Sequence, residues 1–155
     1  MNNKLIIVLA LILVFASFKL MQKLGLIETS EQRKISQIKS GKRDATGMET
    51  NPLNPLFVTH LIKYSPKGKR VKLLPQSAAA KIAGELYESK GLFKDDDSKA
   101  ISLIKQLETQ SQVSQVSQAF TKIYNKDLGT YLSFLDDNNY NSLIETVLSM
   151  PKGLY

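Results

Sequence analysis

Two runs of carboxylates are the residues of this chain best suited to chemistry. The run Asp95–Asp97 follows a glycine turn at Gly91 and precedes an apolar helical pattern, and the pair Asp136–Asp137 precedes the last such pattern. Clustered oxygen ligands of this kind bind hard cations such as Ca²⁺. Carboxylates are also preferred at helix N-termini, where they accept backbone N–H groups and complement the helix dipole. We predict helix capping at both runs, with a metal site, or a catalytic pair at the second run, as the alternative.

The composition excludes most enzyme classes. The 155 residues include no cysteine and a single histidine, His60, which removes thiolate chemistry and any multi-histidine metal centre. We predict His60 to be a packed or surface residue. The sequence has no Gly-x-Ser-x-Gly motif, no phosphate-binding loop and no zinc motif. The chain is therefore predicted not to be an enzyme and to need no cofactor.

Glu85 and Glu88 are the acids that an enzymatic alternative would use. They are one turn apart in a helical pattern and have no partnered acid on another element. We interpret them as part of a solvated face; a cell-wall hydrolase with one of them as general acid is the alternative.

The positive charge of the chain is concentrated in its first half. The net charge is +7, and residues 1–74 carry 13 Lys and Arg against 4 acidic residues, whereas residues 75–155 carry 8 against 10. A basic segment favours anionic lipid headgroups, nucleic acid or an acidic protein face. A solvated, charged linker is the structural alternative.

The N-terminus is predicted to be a membrane anchor, residues 1–27. The apolar run Leu5–Phe18 is short for a span, but apolar residues resume beyond it, and a helix over Leu5–Ile27 would be roughly 34 Å long, enough to cross a bilayer core of ~30 Å. Lys4, Lys19 and Lys23 would lie at the membrane interface. Signal-peptide cleavage would fall inside the apolar run, so we favour an uncleaved single-pass anchor over a signal peptide or a buried helix. The excess of basic residues after the span favours a cytoplasmic C-terminal body.

Residues 28–74 are predicted to be a basic, irregular linker with two short helices. The second of these helices has an apolar face of Leu56, Phe57, Leu61 and Ile62. It is followed by a basic segment, for which we predict contact with an anionic surface through Lys67, Lys69, Arg70 and Lys72. This segment has no interleaved aromatic residues for base stacking, so no sequence-specific nucleic-acid binding is expected.

Residues 75–155 are predicted to form a compact all-α domain of five helices. Pro75 in the first turn and Ser77 as a cap open the first helix, and no strand-like alternation competes with the helical period. The third helix places Phe120 and Tyr124 on one core-facing stripe. The other residues predicted to point inward on the five helices are Ala79, Ile82, Ala83, Leu86, Ile101, Ile104, Leu107 or Leu103, Val113, Val116, Ile123, Leu128, Leu132, Leu135, Tyr140, Leu143, Ile144, Val147 and Leu148.

The spacing of residues in this domain resembles a single annexin repeat, over about residues 75–149. The matching positions are, in chain order, Gly91, Asp97, Ala100, Ile101, Ile104, Gln112, Val116, Ala119, Phe120, Tyr124, Asp127, Leu128, Leu132, Tyr140, Leu143 and Ile144. Annexins usually have four such repeats, and this chain has one. The resemblance implies a right-handed coil of five helices.

The resemblance also implies where a calcium site would lie. An annexin-type loop supplies Gly-x-Gly-Thr backbone carbonyls and is completed by a carboxylate about forty residues later. Gly91 matches, but Phe93 and Lys94 stand where the second Gly and the Thr belong, and Leu135 stands at the distal carboxylate position beside Asp136. We therefore expect no metal. The weak calcium candidates are Gly91, Asp95, Asp96 and Asp136.

The function expected from these features is that of a non-enzymatic, membrane-anchored structural or adaptor protein. It would link a lipid bilayer to other proteins of a larger assembly, such as a bacterial inner-membrane complex or a virus particle with an internal membrane. The alternative is an annexin-like module that binds lipid, either electrostatically or with calcium.

Overall fold

The structure, a computed structural model, describes residues 47–91 and 95–155, and these residues form six α-helices. The helices are α1 (Leu56–Tyr64), α2 (Gln76–Ser89), α3 (Asp97–Lys105), α4 (Gln110–Tyr124), α5 (Leu128–Tyr131) and α6 (Asp137–Ser149). A 3₁₀ turn, Leu132–Phe134, continues α5. The described residues contain no β-strand, which confirms the prediction of an all-α fold for this part of the chain.

The predicted membrane anchor, residues 1–27 with Lys4, Lys19 and Lys23, lies outside the described residues. Among the helices from residue 47 onward, none combines the length and the apolar character that a bilayer-spanning helix needs.

Side-chain caps begin four of the helices. Asp96 accepts a hydrogen bond from the backbone N–H of Lys99 at 2.9 Å, and Asp136 accepts one from Asn139 at 2.8 Å. The predicted capping at both carboxylate runs is therefore confirmed, with Asp96 and Asp136 as the cap residues. Thr109 and Asp127 cap α4 and α5 in the same way. Each cap satisfies a backbone donor that a helix N-terminus leaves without an intrahelical partner.

The predicted start of α2 is wrong in detail. Pro75 is the N-cap residue, not a residue of the first turn, and Ser77 lies inside the helix, which begins at Gln76. No side chain caps this end. The Pro75 carbonyl accepts the Ala79 N–H at 3.1 Å, which begins the helical hydrogen bonding.

The core is organised around α4, which contacts α1, α2, α5 and α6. Phe120 on α4 is completely buried, and Leu86, Ile104, Leu128 and Leu143 bring fully buried side chains from the other helices of the domain. Burial of such side chains is the main contribution to the stability of a small helical domain. Phe120 is thus a core residue, as the sequence predicts.

Three residues predicted to face inward do not. Leu56 and Ile62 on α1 are 46% and 54% exposed, and Ile123 on α4 is 51% exposed. Instead, α1 buries Val58 together with Phe57. Ile123 lies in the last turn of α4, and helical spacing alone does not tell how far the packing partners extend along a helix.

A polar stripe on α4 fixes the position of α1 and of the chain before α2. We call Ser111, Ser114, Gln115 and Ser117 the Ser–Gln stripe. The Ser114 hydroxyl donates to the Asn54 carbonyl at 2.7 Å and accepts from the Val58 N–H at 2.9 Å.

The other members of the Ser–Gln stripe bind backbone carbonyls of the preceding segment. Ser117 donates to Leu53, and Ser111 donates to Lys72 at 2.6 Å. Residues 53–74, which the sequence assigns to the linker, therefore lie against α4.

Candidate membrane-facing surface

An exposed surface that combines cations and tyrosines lies beside α1 and the C-terminus. Its members are Lys63, Tyr64, Lys67, Lys69, Arg70 and Tyr155, and we call it the basic–tyrosine patch. All six side chains are exposed; the exposed fractions of Tyr64 and Tyr155 are 47% and 64%. No Asp or Glu occurs in the sequence between Glu49 and Glu85. The segment that supplies the four cations of the patch therefore contains no carboxylate side chain.

The patch is assembled by backbone pairing between two segments that are distant in sequence. Val71 forms an antiparallel bridge with Leu154. Arg70 and Tyr155 exchange two backbone hydrogen bonds of 3.0 and 3.1 Å, and the N–H of Lys72 donates to Gly153 at 2.7 Å. This pairing fixes Tyr155 next to the basic segment. A turn closed by the Lys69 N–H and the Pro66 carbonyl, at 3.0 Å, contains Lys67 and ends at Lys69.

The C-terminal segment can dock only because residue 153 is glycine. Gly153 has φ +88°, a conformation that residues with a side chain rarely adopt. A Cβ atom here would also overlap the Ser111 hydroxyl and lie 3.0 Å from the Cβ of Thr109. The backbone of the segment is thus held against the start of α4, where the Gln110 N–H donates to Pro151 at 3.0 Å.

The four cations predicted to contact an anionic surface, Lys67, Lys69, Arg70 and Lys72, differ in their side-chain partners. Lys72 pairs with Glu108, and its carbonyl is held by Ser111. Lys67, Lys69 and Arg70 form no ion pair within residues 47–91 and 95–155. The structure therefore brings these three together on the patch and engages Lys72 with the body of the domain.

Sequence reasoning missed the two tyrosines and Lys63. The Lys63 ammonium lies 5.3 Å from the ring centroid of Tyr64, a cation–π distance. The absence of Asp and Glu between Glu49 and Glu85 indicates, from the sequence alone, that the cations of this segment lack local carboxylate partners. Nothing local in the sequence pairs Tyr155 with Arg70.

The calcium candidates are placed mostly as helix caps. Asp96 and Asp136 each commit one carboxylate oxygen to a backbone N–H, and the second oxygen of Asp136 accepts from the Asn139 side chain at 2.8 Å. Gly91 and Asp95 are exposed on either side of residues 92–94, which lie outside the described part. Within that part, no group of three or more Asp, Glu or His side chains is placed to hold a metal ion.

The remaining polar residues singled out in the sequence have structural partners. The Nδ1 atom of His60 accepts the Glu49 N–H at 2.9 Å. Glu85 pairs with Lys81 one turn away, at 3.8 Å, and Glu88 pairs with Lys99 at 3.6 Å.

Two tyrosines are held in their neutral form. Burial raises the pKa of the Tyr131 phenol, with smaller contributions from Tyr87, Asp95 and Tyr124. Burial also raises the pKa of Tyr140, and the charge of Asp127 adds to the effect. Neither phenol is thereby prepared to act as a base near neutral pH.

No protein-family model matches this chain, and neither the curated proteins nor the solved structures include a match to it.

Proposed function

We propose that the protein is a non-enzymatic, single-pass membrane protein whose helical domain lies against an anionic bilayer surface through the basic–tyrosine patch. In this proposal residues 5–27 form the anchor, and the domain serves as a structural or adaptor part of a larger protein assembly in a bacterial inner membrane or in a virus particle with an internal membrane. The observation that carries the proposal is the patch itself: exposed cations, no acid in the segment that supplies them, and two exposed tyrosines.

The chemistry of the patch suits a lipid headgroup layer. Each Lys or Arg near an anionic membrane surface contributes about 1 kcal/mol to binding. Tyrosine is enriched at membrane interfaces, where its ring meets the acyl boundary and its hydroxyl stays in water. Lys67, Lys69 and Arg70 have no competing carboxylate partner among the described residues. The patch would orient the domain, while the anchor would supply the permanent attachment.

An annexin-like, calcium-dependent membrane contact is the competing proposal. It would use the surroundings of Gly91 and Asp95–Asp97, which are separate in sequence from the patch. The two proposals therefore predict different dependence on salt and on calcium.

Vesicle flotation of the full chain and of residues 28–155 tests the proposal. The full chain is expected to float with neutral phosphatidylcholine vesicles and to resist alkaline carbonate extraction. Residues 28–155 should not float with neutral vesicles but should float with phosphatidylserine-containing vesicles at low salt, and about 0.5 M NaCl should release them, because salt screens exposed charges. Carbonate-resistant binding by residues 28–155 would show that the anchor lies elsewhere. Binding that requires Ca²⁺ and survives 0.5 M NaCl would favour the annexin-like proposal.

A further inference from the structure

The end of α4 that is remote from the basic–tyrosine patch carries a cleft. Ser111, near the start of α4, holds Lys72, whereas Tyr124 ends the helix, and 15 residues of α-helix span about 22 Å. The cleft has a volume of about 700 Å³, within the range of ~300–1,000 Å³ usual for ligand sites. We call it the Tyr–Lys cleft, and it is lined by Tyr87, Glu88, Lys90, Gly91, Lys126, Asp127, Thr130 and Tyr131.

One wall of the Tyr–Lys cleft carries the rings of Tyr87 and Tyr131, which belong to a column of nearly parallel aromatic rings. The rings of Tyr87 and Tyr124 are stacked at 3.9 Å with an interplanar angle of 2°, and the Tyr131 ring follows at 5.4 Å and 16° from that of Tyr87. The Tyr131 hydroxyl donates to the backbone carbonyl of Tyr87 at 2.6 Å, and Phe120 supports the column from the core. These contacts hold the two tyrosine rings of the wall in fixed positions.

The ammonium groups at the Tyr–Lys cleft contact rings instead of carboxylates. The Nζ atom of Lys126 lies 5.2 Å from the ring centroid of Tyr87 and 5.7 Å from that of Tyr131. The Nζ atom of Lys90 lies 5.5 Å from the Tyr131 centroid and 5.9 Å from that of Phe134. Both cations thus approach the same ring.

The carboxylates that line the cleft already have partners of their own. Glu88 pairs with Lys99 at 3.6 Å, and Asp127 caps α5 by accepting the Thr130 N–H at 2.7 Å. Neither Lys90 nor Lys126 forms an ion pair within the described part of the chain. Asp95 acts on Tyr131 by its charge but does not line the cleft. The cap leaves the Asp127 carboxylate charged, and the two ammonium groups at the cleft remain without an ion-pair partner in this part of the chain.

We propose that the Tyr–Lys cleft binds an organic anion carried on a flat apolar group, of the aryl phosphate or aryl carboxylate class. The anion pairs with the ammonium groups of Lys90 and Lys126, and the flat group lies against the Tyr87 and Tyr131 rings. A free inorganic anion uses only the first of these interactions. This site is independent of the basic–tyrosine patch and does not depend on the proposed membrane role.

The test uses ¹⁹F NMR of 4-fluorophenyl phosphate and 4-fluorobenzoate with the full chain in neutral detergent micelles. Concentration-dependent broadening of both signals is expected. The neutral analogue 4-fluorobenzyl alcohol should bind at least about tenfold more weakly after subtraction of partition into empty micelles. Lys90→Gln and Lys126→Gln should each weaken binding roughly three- to fivefold, and the double variant about tenfold, as for partly exposed ion pairs. Lys105→Gln, an exposed lysine at the end of α3, is the matched control and should have no effect.

Several results would overturn this assignment. Wild-type affinity in the Lys90→Gln, Lys126→Gln double variant would show that the two lysines do not bind the anion. Equal affinity for inorganic phosphate, measured by competition, would show that the aromatic wall does not contribute to binding. Equal affinity for the neutral alcohol would show that the anionic group does not contribute. Replacement of both lysines by arginine retains the charge and should retain binding, so loss of binding in that variant would also contradict the charge-based account.

Discussion

Ser114→Ala removes one hydroxyl that binds two backbone groups of the segment containing α1. Ser114 is fully buried; it donates to the Asn54 carbonyl at 2.7 Å and accepts the Val58 N–H at 2.9 Å. Val58 is the third residue of α1, so its N–H is one of the four that a helix leaves without an intrahelical acceptor. In effect, Ser114 caps α1 from a neighbouring helix.

The cost of Ser114→Ala follows from these contacts. The buried Val58 N–H would be left without an acceptor, which costs about 1–3 kcal/mol. The Asn54 carbonyl would keep the Phe57 N–H at 3.1 Å and lose one hydrogen bond worth about 0.5–1.5 kcal/mol. Alanine is a better helix former than serine by about 0.5 kcal/mol, which offsets part of the loss on α4. We expect a net loss of about 1–4 kcal/mol in the free energy of unfolding, a substantial share of the ~5–15 kcal/mol of a typical domain.

Thermal unfolding of the full chain in neutral detergent, followed by circular dichroism at 222 nm, measures this loss. At about 4 °C per kcal/mol, the Tm should fall by roughly 4–16 °C. Ser142→Ala, at an exposed serine of α6, is the matched control and should leave the Tm within about 2 °C. Amide hydrogen exchange should also show faster exchange at Val58 in the Ser114→Ala variant. A Tm within about 2 °C of wild type, with Val58 still protected, would refute the claim that α4 holds α1.

Three further outcomes are expected. Gly153→Ala should release the C-terminal segment, because a positive φ costs a residue with a Cβ atom about 1–2 kcal/mol and because Thr109 crowds that atom. Limited carboxypeptidase digestion of this variant should then proceed past residue 153. Phe120→Ala should cost about 3–5 kcal/mol, since the ring is completely buried, as measured by urea unfolding. The pKa of Tyr140 is higher in the folded than in the unfolded state. The stability that this phenol contributes is therefore complete below about pH 10 and is lost as the pH rises through the folded pKa. The free energy of unfolding of Tyr140→Phe should depend less on pH above about 10 than that of the wild type.

The parts of the fold that follow from local signals were predictable from the sequence. The 3.6-residue period located five helices after residue 75, and short-range chemistry identified the runs that contain the caps Asp96 and Asp136. These features depend on residues within a few positions of each other. The tight burial of Phe120 followed from the same period.

The parts that depend on distant residues were not predictable. The Ser-Gln-Val repeat of α4 reads as an apolar stripe of valines, yet Ser111, Ser114 and Ser117 use the same three-residue spacing to bind backbone groups up to 64 residues away. The rotation of α1 follows from those bonds, and so the sequence selected Ile62 where the structure buries Val58. The patch likewise needs the pairing of residue 71 with residue 154.

The central claim, that the basic–tyrosine patch faces the headgroups, is most directly tested by paramagnetic relaxation in anionic nanodiscs. Because the chain has no cysteine, Lys69→Cys and Lys122→Cys each give a single labelling site, the first on the patch and the second in the last turn of α4. With a gadolinium-chelating lipid in the bilayer, the account predicts strong relaxation of a nitroxide at position 69 and little at position 122, which lies about 16 Å further along the helix than Ser111. Equal relaxation at the two positions, or stronger relaxation at position 122, would contradict it.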